Sequence, residues 1–183
     1  MSLHLILGPM FASKTSALLA HIRSYTILGY PMIKIKPDID VRYSVNKISS
    51  HNQDTEECVC VPIDGLDTLR DKEEFVNAKV IFIEEAQFFS ELYSFIQYCL
   101  DECRKDIYIT ALNGDSKRQL FGEIYKLLPL CTKIEWLQAL CIQCKDGTPG
   151  VYSKRIESVV PNQQIEVGSS DRYEAVCLEH YLL

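Results

Sequence analysis

The sequence predicts an α/β fold, a mostly parallel sheet flanked by helices, with a small metal-bound module at its C-terminal end. Three observations carry that expectation. Short segments that are apolar along their whole length alternate with segments of helical periodicity, the mark of strands covered on both faces. The first such strand runs into GPMFASKT (8–15), a loop that opens a helix. After residue 140 the long apolar runs stop, and two tight pairs appear, Cys141/Cys144 and Cys177/His180.

Taken in order, residues 3–7 (LHLIL) read as a buried strand. Residues 14–28 read as a helix, stopped by Gly29 and Pro31. Residues 32–36 (MIKIK) form a second strand, and 37–57, polar and without apolar pattern, a long loop. A short strand is expected at 58–63, a helix at 66–77 and an unbroken apolar strand at 80–83 (VIFI). Across 89–104 the apolar residues Leu92, Phe95, Ile96, Cys99, Leu100 and Cys103 recur at helical spacing. Then come a buried strand at 107–112, a short helix at 121–128 ended near Pro129, and a last core strand at 133–140. The division expected is 1–140 for the α/β domain and 141–183 for the small module.

Composition narrows the class. With 47% hydrophobic and 24% charged residues, the chain reads as globular. No apolar run approaches the roughly 18 residues that span a bilayer, and no charged segment precedes an apolar leader. A cytoplasmic protein with no membrane partner is the expectation. A net charge of −6 weighs slightly against a binder of duplex nucleic acid, though not against binding a nucleotide. The eight cysteines, without a leader, read as reduced thiols and a metal site rather than disulfides.

GPMFASKT departs from the phosphate-loop pattern G-x-x-x-x-G-K-[ST] at one place, Ser13. Consecutive backbone amides in such a loop form an anion nest, strengthened by the helix N-terminus behind it. The loop residues expected to hold a nucleotide's phosphates, ATP's in the family resembled below, are Gly8, Pro9, Met10, Phe11, Ala12, Ser13, Lys14 and Thr15. Within that set Gly8 is free to take an unusual backbone conformation, Lys14 reaches the outer phosphates and Thr15 offers a hydroxyl to Mg²⁺. If Ser13 needs a positive φ, its Cβ costs about 1–2 kcal/mol. The alternative is a strand–helix turn with an incidental lysine. Glu84 and Glu85 follow the VIFI strand, expected beside the first strand. There one carboxylate can serve the metal and the other can deprotonate a hydroxyl. The alternative is two solvated carboxylates at a strand end. Cys141, Cys144, Cys177 and His180 supply three sulfurs and one nitrogen, the closed shell of a structural Zn²⁺, against the alternative of four unrelated residues.

GPMFASKT, DVRYS (40–44), His51, EEAQFF (84–89), ALNGDSKRQLFGEI (111–124), CIQC (141–144), VYSKR (151–155) and DRYEAVCLEH (171–180) occur in one order. In that order the chain resembles the type II thymidine kinases, the cytosolic animal, bacterial and poxvirus enzymes, from about residue 3 to residue 181. The resemblance implies a P-loop NTPase-like domain with a zinc-held lid over the nucleoside. It implies transfer of the ATP γ-phosphoryl group to the 5′-hydroxyl of thymidine or deoxyuridine, a homotetramer, and feedback by thymidine triphosphate. It assigns Glu85 as catalytic base, Glu84 to Mg²⁺, and Arg42 to the transferring phosphate. Met10, Phe88, Leu112, Tyr152 and Tyr173 become nucleoside contacts, and the Cys/His set the zinc ligands. Departures are Ser13, Glu84 in place of Asp, Ser116 where an aromatic residue is usual, and a shortened 167–173. Lys117 and Arg118 read as solvated surface charges, against the alternative that one of them assists the transfer. One rival is a nucleotide-binding regulator without turnover. Another is an ATPase whose zinc module grips nucleic acid, disfavoured because Asp146, Glu157, Glu166, Asp171, Glu174 and Glu179 outnumber Lys145, Lys154 and Arg155.

Overall fold

The structure, a computed structural model, describes residues 1–40, 46–50, 54–156 and 172–183. Its elements are β1 (Ser2–Gly8), α1 (Lys14–Ile27), β2 (Met32–Pro37), β3 (Lys47–Ser49), β4 (Thr55–Glu57), β5 (Val59–Val61), α2 (Glu73–Asn77), β6 (Val80–Ile83), α3 (Leu92–Asp101), β7 (Asp106–Leu112), β8 (Lys133–Trp136), β9 (Ala139–Leu140), β10 (Pro149–Gly150), β11 (Tyr152–Arg155), β12 (Tyr173–Val176) and α4 (Leu178–Leu182). Six strands form one sheet in the order β5-β2-β6-β7-β1-β8, every pair parallel.

Alternation along the strands explains their continuous apolar runs. Leu3, Leu5, Leu7, Ile81 and Ile83 face one side, under Leu92, Phe95 and Ile96 of α3. Ile6, Val80 and Phe82 face the other, under Leu18, Leu19 and Ile22 of α1. A strand buried on both faces has no position for a polar residue, so no period of two survives in its sequence. Helix α1 stops where expected. Gly29 takes φ 62°, its N–H donates to Thr26 O and that of Tyr30 to Tyr25 O, a Schellman arrangement that satisfies the last carbonyls.

Several expected elements change. The loop at 37–57 contains the antiparallel pair β3–β4. The helix expected at 66–77 is a 3-10 turn (Leu66–Leu69) followed by the short α2. The helix expected from 89 starts at Leu92, behind a second 3-10 turn (Ala86–Phe88). The helix at 121–128 is a 3-10 run (Ile124–Leu130) that includes Pro129. The single core strand at 133–140 breaks. β8 is the sheet's edge, with Ile134 and Trp136 exposed. At Leu137 the chain still donates its N–H to Leu7 O, then turns away into β9. An apolar run cannot tell an edge strand from a central one, because β propensity reflects side-chain fit rather than position in the sheet.

Beyond β8 the chain builds two two-stranded antiparallel pairs, β9–β10 and β11–β12, and ends in α4. None of the α4 side chains is buried. Among the described residues no helix is long and apolar enough to cross a membrane.

Candidate active site and metal centre

The site lies at the C-terminal edge of the sheet, where β1, β6 and β7 end. At the tip of β1, a Cβ on Gly8 would sit 2.5 Å from Leu137 O and 3.1 Å from the Ala12 Cβ. Gly8 is therefore required for close approach, not for the unusual backbone conformation expected of it. The left-handed positions fall elsewhere in the loop, at Phe11 (φ 63°) and Ser13 (φ 59°). Ser13 thus carries the strain a glycine would avoid. The loop curls so that the Lys14 Nζ donates to Pro9 O at 2.7 Å, holding the ammonium over it, and Lys14 is buried. The Met10 N–H points away from the loop and donates to Ser153 Oγ of β11 at 2.9 Å.

Glu84 follows β6, but β6 is not the neighbour of β1 as expected: β7 lies between them. The Glu84 carboxylate spans the gap. The Thr15 hydroxyl donates to Oε1 and the Thr110 hydroxyl of β7 to Oε2, each at 2.5 Å. Both carboxylates are buried. Glu85 is not the extended residue expected. It sits at φ 52°, in a left-handed turn. Its N–H donates to Thr110 Oγ1 at 3.2 Å, and its Oε2 accepts from Gln87 Nε2 at 2.5 Å. Gln87 in turn accepts the Leu112 N–H at 3.2 Å. Thr110 and Gln87 therefore fix the two carboxylates from β7 and from the turn after β6. Sequence reasoning missed both roles, although Gln87 stands inside EEAQFF.

Beside Glu85, Phe88, Leu112 and Phe121 form a buried apolar cluster lined by Met10, Ile39 and Ile63. Phe88 and Phe121 meet edge to face, centroids 5.4 Å apart. Met10, Phe88 and Leu112, three of the residues assigned to the nucleoside, are thus brought together. Phe121 was not named. It is set by Gly122, whose backbone at φ 58° lies too close to Gln87 for any Cβ.

Tyr152 and Tyr173 lie on β11 and β12. The Tyr152 ring packs on Tyr181, centroids 5.4 Å apart, and the Tyr181 hydroxyl donates to Ser116 O at 2.8 Å. Arg118 is exposed, yet its guanidinium lies 4.6 Å from the Tyr181 ring centre, a stacking role that its reading as a solvated charge did not include. Arg42, His51 and most of 167–173 lie outside the described residues.

Cys141, Cys144, Cys177 and His180 converge within the module. The Cys144 and Cys177 sulfurs are 3.7 Å apart, and His180 Nδ1 is 3.7, 3.4 and 3.3 Å from Cys141, Cys144 and Cys177. A tetrahedron around zinc with bonds of about 2.3 Å has edges of about 3.8 Å. Three thiols and an imidazole at this spacing fit Zn²⁺. All eight cysteines are free of disulfides. The Thr15 hydroxyl with the Glu84 carboxylate is likewise an oxygen donor set that suits Mg²⁺.

Parallel strands, a phosphate loop at the tip of β1 and a carboxylate that reaches it across β7 place the fold in the P-loop nucleotide-binding class. The thymidine kinase family model matches residues 1–181, and the chain belongs to that family of phosphotransferases. It is 36% identical to the thymidine kinase of fowlpox virus (strain NVSL), covering 96% of this chain and 94% of that protein. It is 34% identical to that of rabbit fibroma virus (strain Kasza), with 98% and 95% covered. Against the cytosolic thymidine kinase of Homo sapiens it is 32% identical, with 96% and 70% covered.

Proposed function

We propose that this chain is a thymidine kinase, transferring the γ-phosphoryl group of ATP to the 5′-hydroxyl of thymidine and, by the same geometry, of deoxyuridine. The observation that supports the reading is the family match over residues 1–181, in a chain whose Glu85 is bonded to Gln87, which in turn accepts the Leu112 N–H of the Phe88–Leu112–Phe121 cluster.

The loop amides from Phe11 to Thr15 and the Lys14 ammonium bind the triphosphate. Thr15 and, through water, Glu84 would hold Mg²⁺, which would supply charge neutralisation at the phosphate oxygens. Glu85, oriented by Gln87, accepts the proton of the 5′-hydroxyl. That oxygen forms its bond to the γ-phosphorus as the bond from γ-phosphorus to the bridging β–γ oxygen breaks, and ADP leaves. Arg42 neutralises charge on the transferred group. Met10, Phe88, Leu112 and Phe121 hold the base, and Tyr152 and Tyr173 on the lid close over the nucleoside and exclude water as a competing acceptor. Zn²⁺ on Cys141, Cys144, Cys177 and His180 supplies the module's rigidity.

A homotetramer with feedback by thymidine triphosphate, working in the cytoplasm without membrane or nucleic-acid partners, completes the reading. It rests on the family resemblance, and the human relative's name includes "cytosolic". Nothing in the family match or in the relatives named thymidine kinase favours the regulator without turnover.

The test is a nucleoside panel with ATP and Mg²⁺, scored for monophosphate, on the parent and on Glu85→Gln. Thymidine should lead the panel, and the variant should lose about 10²–10⁴ in kcat with ATP binding nearly unchanged. Equal turnover by the variant removes Glu85 as base; no product from any nucleoside removes the kinase reading.

A further inference from the structure

On the α1 face of the sheet, remote from the phosphate loop, three potential ligands meet. His4 lies on β1, four residues and about 13 Å along the strand from Gly8. His21 comes from α1. Glu135 comes from the edge strand β8, where Lys133 is paired with His4 and Glu135 with Ile6. Ring nitrogens of both histidines and a Glu135 carboxylate oxygen all lie within 4.8 Å of one another. His4 Nε2 is 3.5 Å from Glu135 Oε2.

Packing alone leaves one feature unexplained. His4 is only 5% exposed, and its Nε2 is buried with no hydrogen-bond partner, directed at Glu135 without the geometry of a bond. A buried polar atom left unpaired is costly and rare. Around it the aromatic contacts are complete. The Tyr108 ring backs both imidazoles, with centroids 5.1 Å from His4 and 4.7 Å from His21, and its hydroxyl pairs with Tyr25. The two imidazole planes cross at 71°, centroids 5.2 Å apart, so they do not stack face to face.

We propose that His4, His21 and Glu135 form a second metal site, selective for a borderline divalent transition ion such as Co²⁺, Ni²⁺ or Zn²⁺. Two imidazoles and one carboxylate are the donor set such ions prefer, and they leave positions open to water. A metal there satisfies the orphaned nitrogen of His4. Burial lowers the pKa of both histidines. Lys133 is the opposing charge nearby; it is exposed, where solvent screens it. Bound metal staples β8 to β1 and α1, the two elements that carry the phosphate loop. Since β8 leads through Leu137 into the Cys/His module, the staple anchors the root of that module as well.

The experiment uses the full chain with one equivalent of zinc already in the module, titrated with Co²⁺. One further equivalent should bind, with visible d–d bands and without the thiolate charge-transfer bands that cobalt among cysteines produces. His21→Gln and Glu135→Gln, both at half-buried positions that tolerate polar replacement, should each weaken that equivalent at least about tenfold. Both variants should keep the parent's circular dichroism and its activity in cobalt-free buffer. Absence of a second equivalent, a second equivalent that shows thiolate bands, or variants that bind cobalt like the parent would each overturn the site.

Discussion

The phosphate-binding body and the Cys/His module are stabilised in different ways. The body has a sheet whose two faces are each sealed by apolar side chains, with Phe75, Phe82, Phe89 and Phe95 fully buried. Among its described residues the module has short two-stranded pairs, a five-residue helix with no buried side chain, a fully buried Val176, and a three-alanine contact, Ala12, Ala139 and Ala175, where it meets the loop. Those residues bury far less apolar surface than the two faces of the sheet. Cys141, Cys144, Cys177 and His180 are spaced to hold Zn²⁺. On the proposed reading, one part would be stable because it excludes water, the other because four side chains would share an ion. The two respond to different perturbations.

The sharpest way to break that contrast is to remove the ion. Structural zinc sites contribute on the order of 10 kcal/mol to folding, so Cys144→Ser or strong chelation should abolish bound zinc and expose the module to proteolysis. The body should keep its circular dichroism. If the whole chain unfolds together, the two regions are one cooperative unit and the contrast fails.

The converse perturbation is Phe95→Ala. Truncating this buried ring should cost about 3–5 kcal/mol in chemical denaturation. Zinc content, measured on the folded protein, should stay at one per chain. A loss of zinc in parallel would again merge the regions.

A smaller effect is expected within the site. Thr110→Val keeps the shape but removes the hydroxyl that bonds Glu84 and accepts the Glu85 N–H. A hydrogen bond to a charged group is worth about 1.5–3 kcal/mol. The expected result is a clear loss in kcat and a raised Mg²⁺ requirement, measured by steady-state kinetics across a magnesium series. A variant with the parent's magnesium dependence would show that the Thr110 hydroxyl is not needed to position Glu84.

The smallest concerns the junction. Ser153→Ala removes the acceptor for the Met10 N–H, worth about 0.5–1.5 kcal/mol. It should raise the KM for nucleoside a few-fold and leave ATP binding and zinc content unchanged. Hydrogen exchange at Met10 should quicken; unchanged exchange would mean that the alanine contact suffices to dock the module.

Ser13 shows how far a local motif can be read. Its position in GPMFASKT flags a site where glycine is usual, and φ 59° explains why. Gly8 shows the limit. The residue was readable as special, but its reason, the Leu137 carbonyl against its Cα, comes from a segment some 130 residues away in the chain. Arg118 is similar, since nothing in its own neighbourhood announces the Tyr181 ring it lies against.

By itself the sequence determined the phosphate loop, the strand–helix alternation, the stop at Gly29 and the four ligands of the Cys/His cluster. Each is written in a few neighbouring residues whose backbone preferences or donor atoms act locally. Only the tertiary structure decided that β7 lies between β1 and β6, that Thr110 and Gln87 wire the two carboxylates, and that the run at 133–140 splits into a sheet edge and the root of the module. Parallel strands are joined by crossovers, so neighbours in the sheet are distant in the chain. Which of them meet depends on how the whole apolar surface is best covered, and no single segment encodes that.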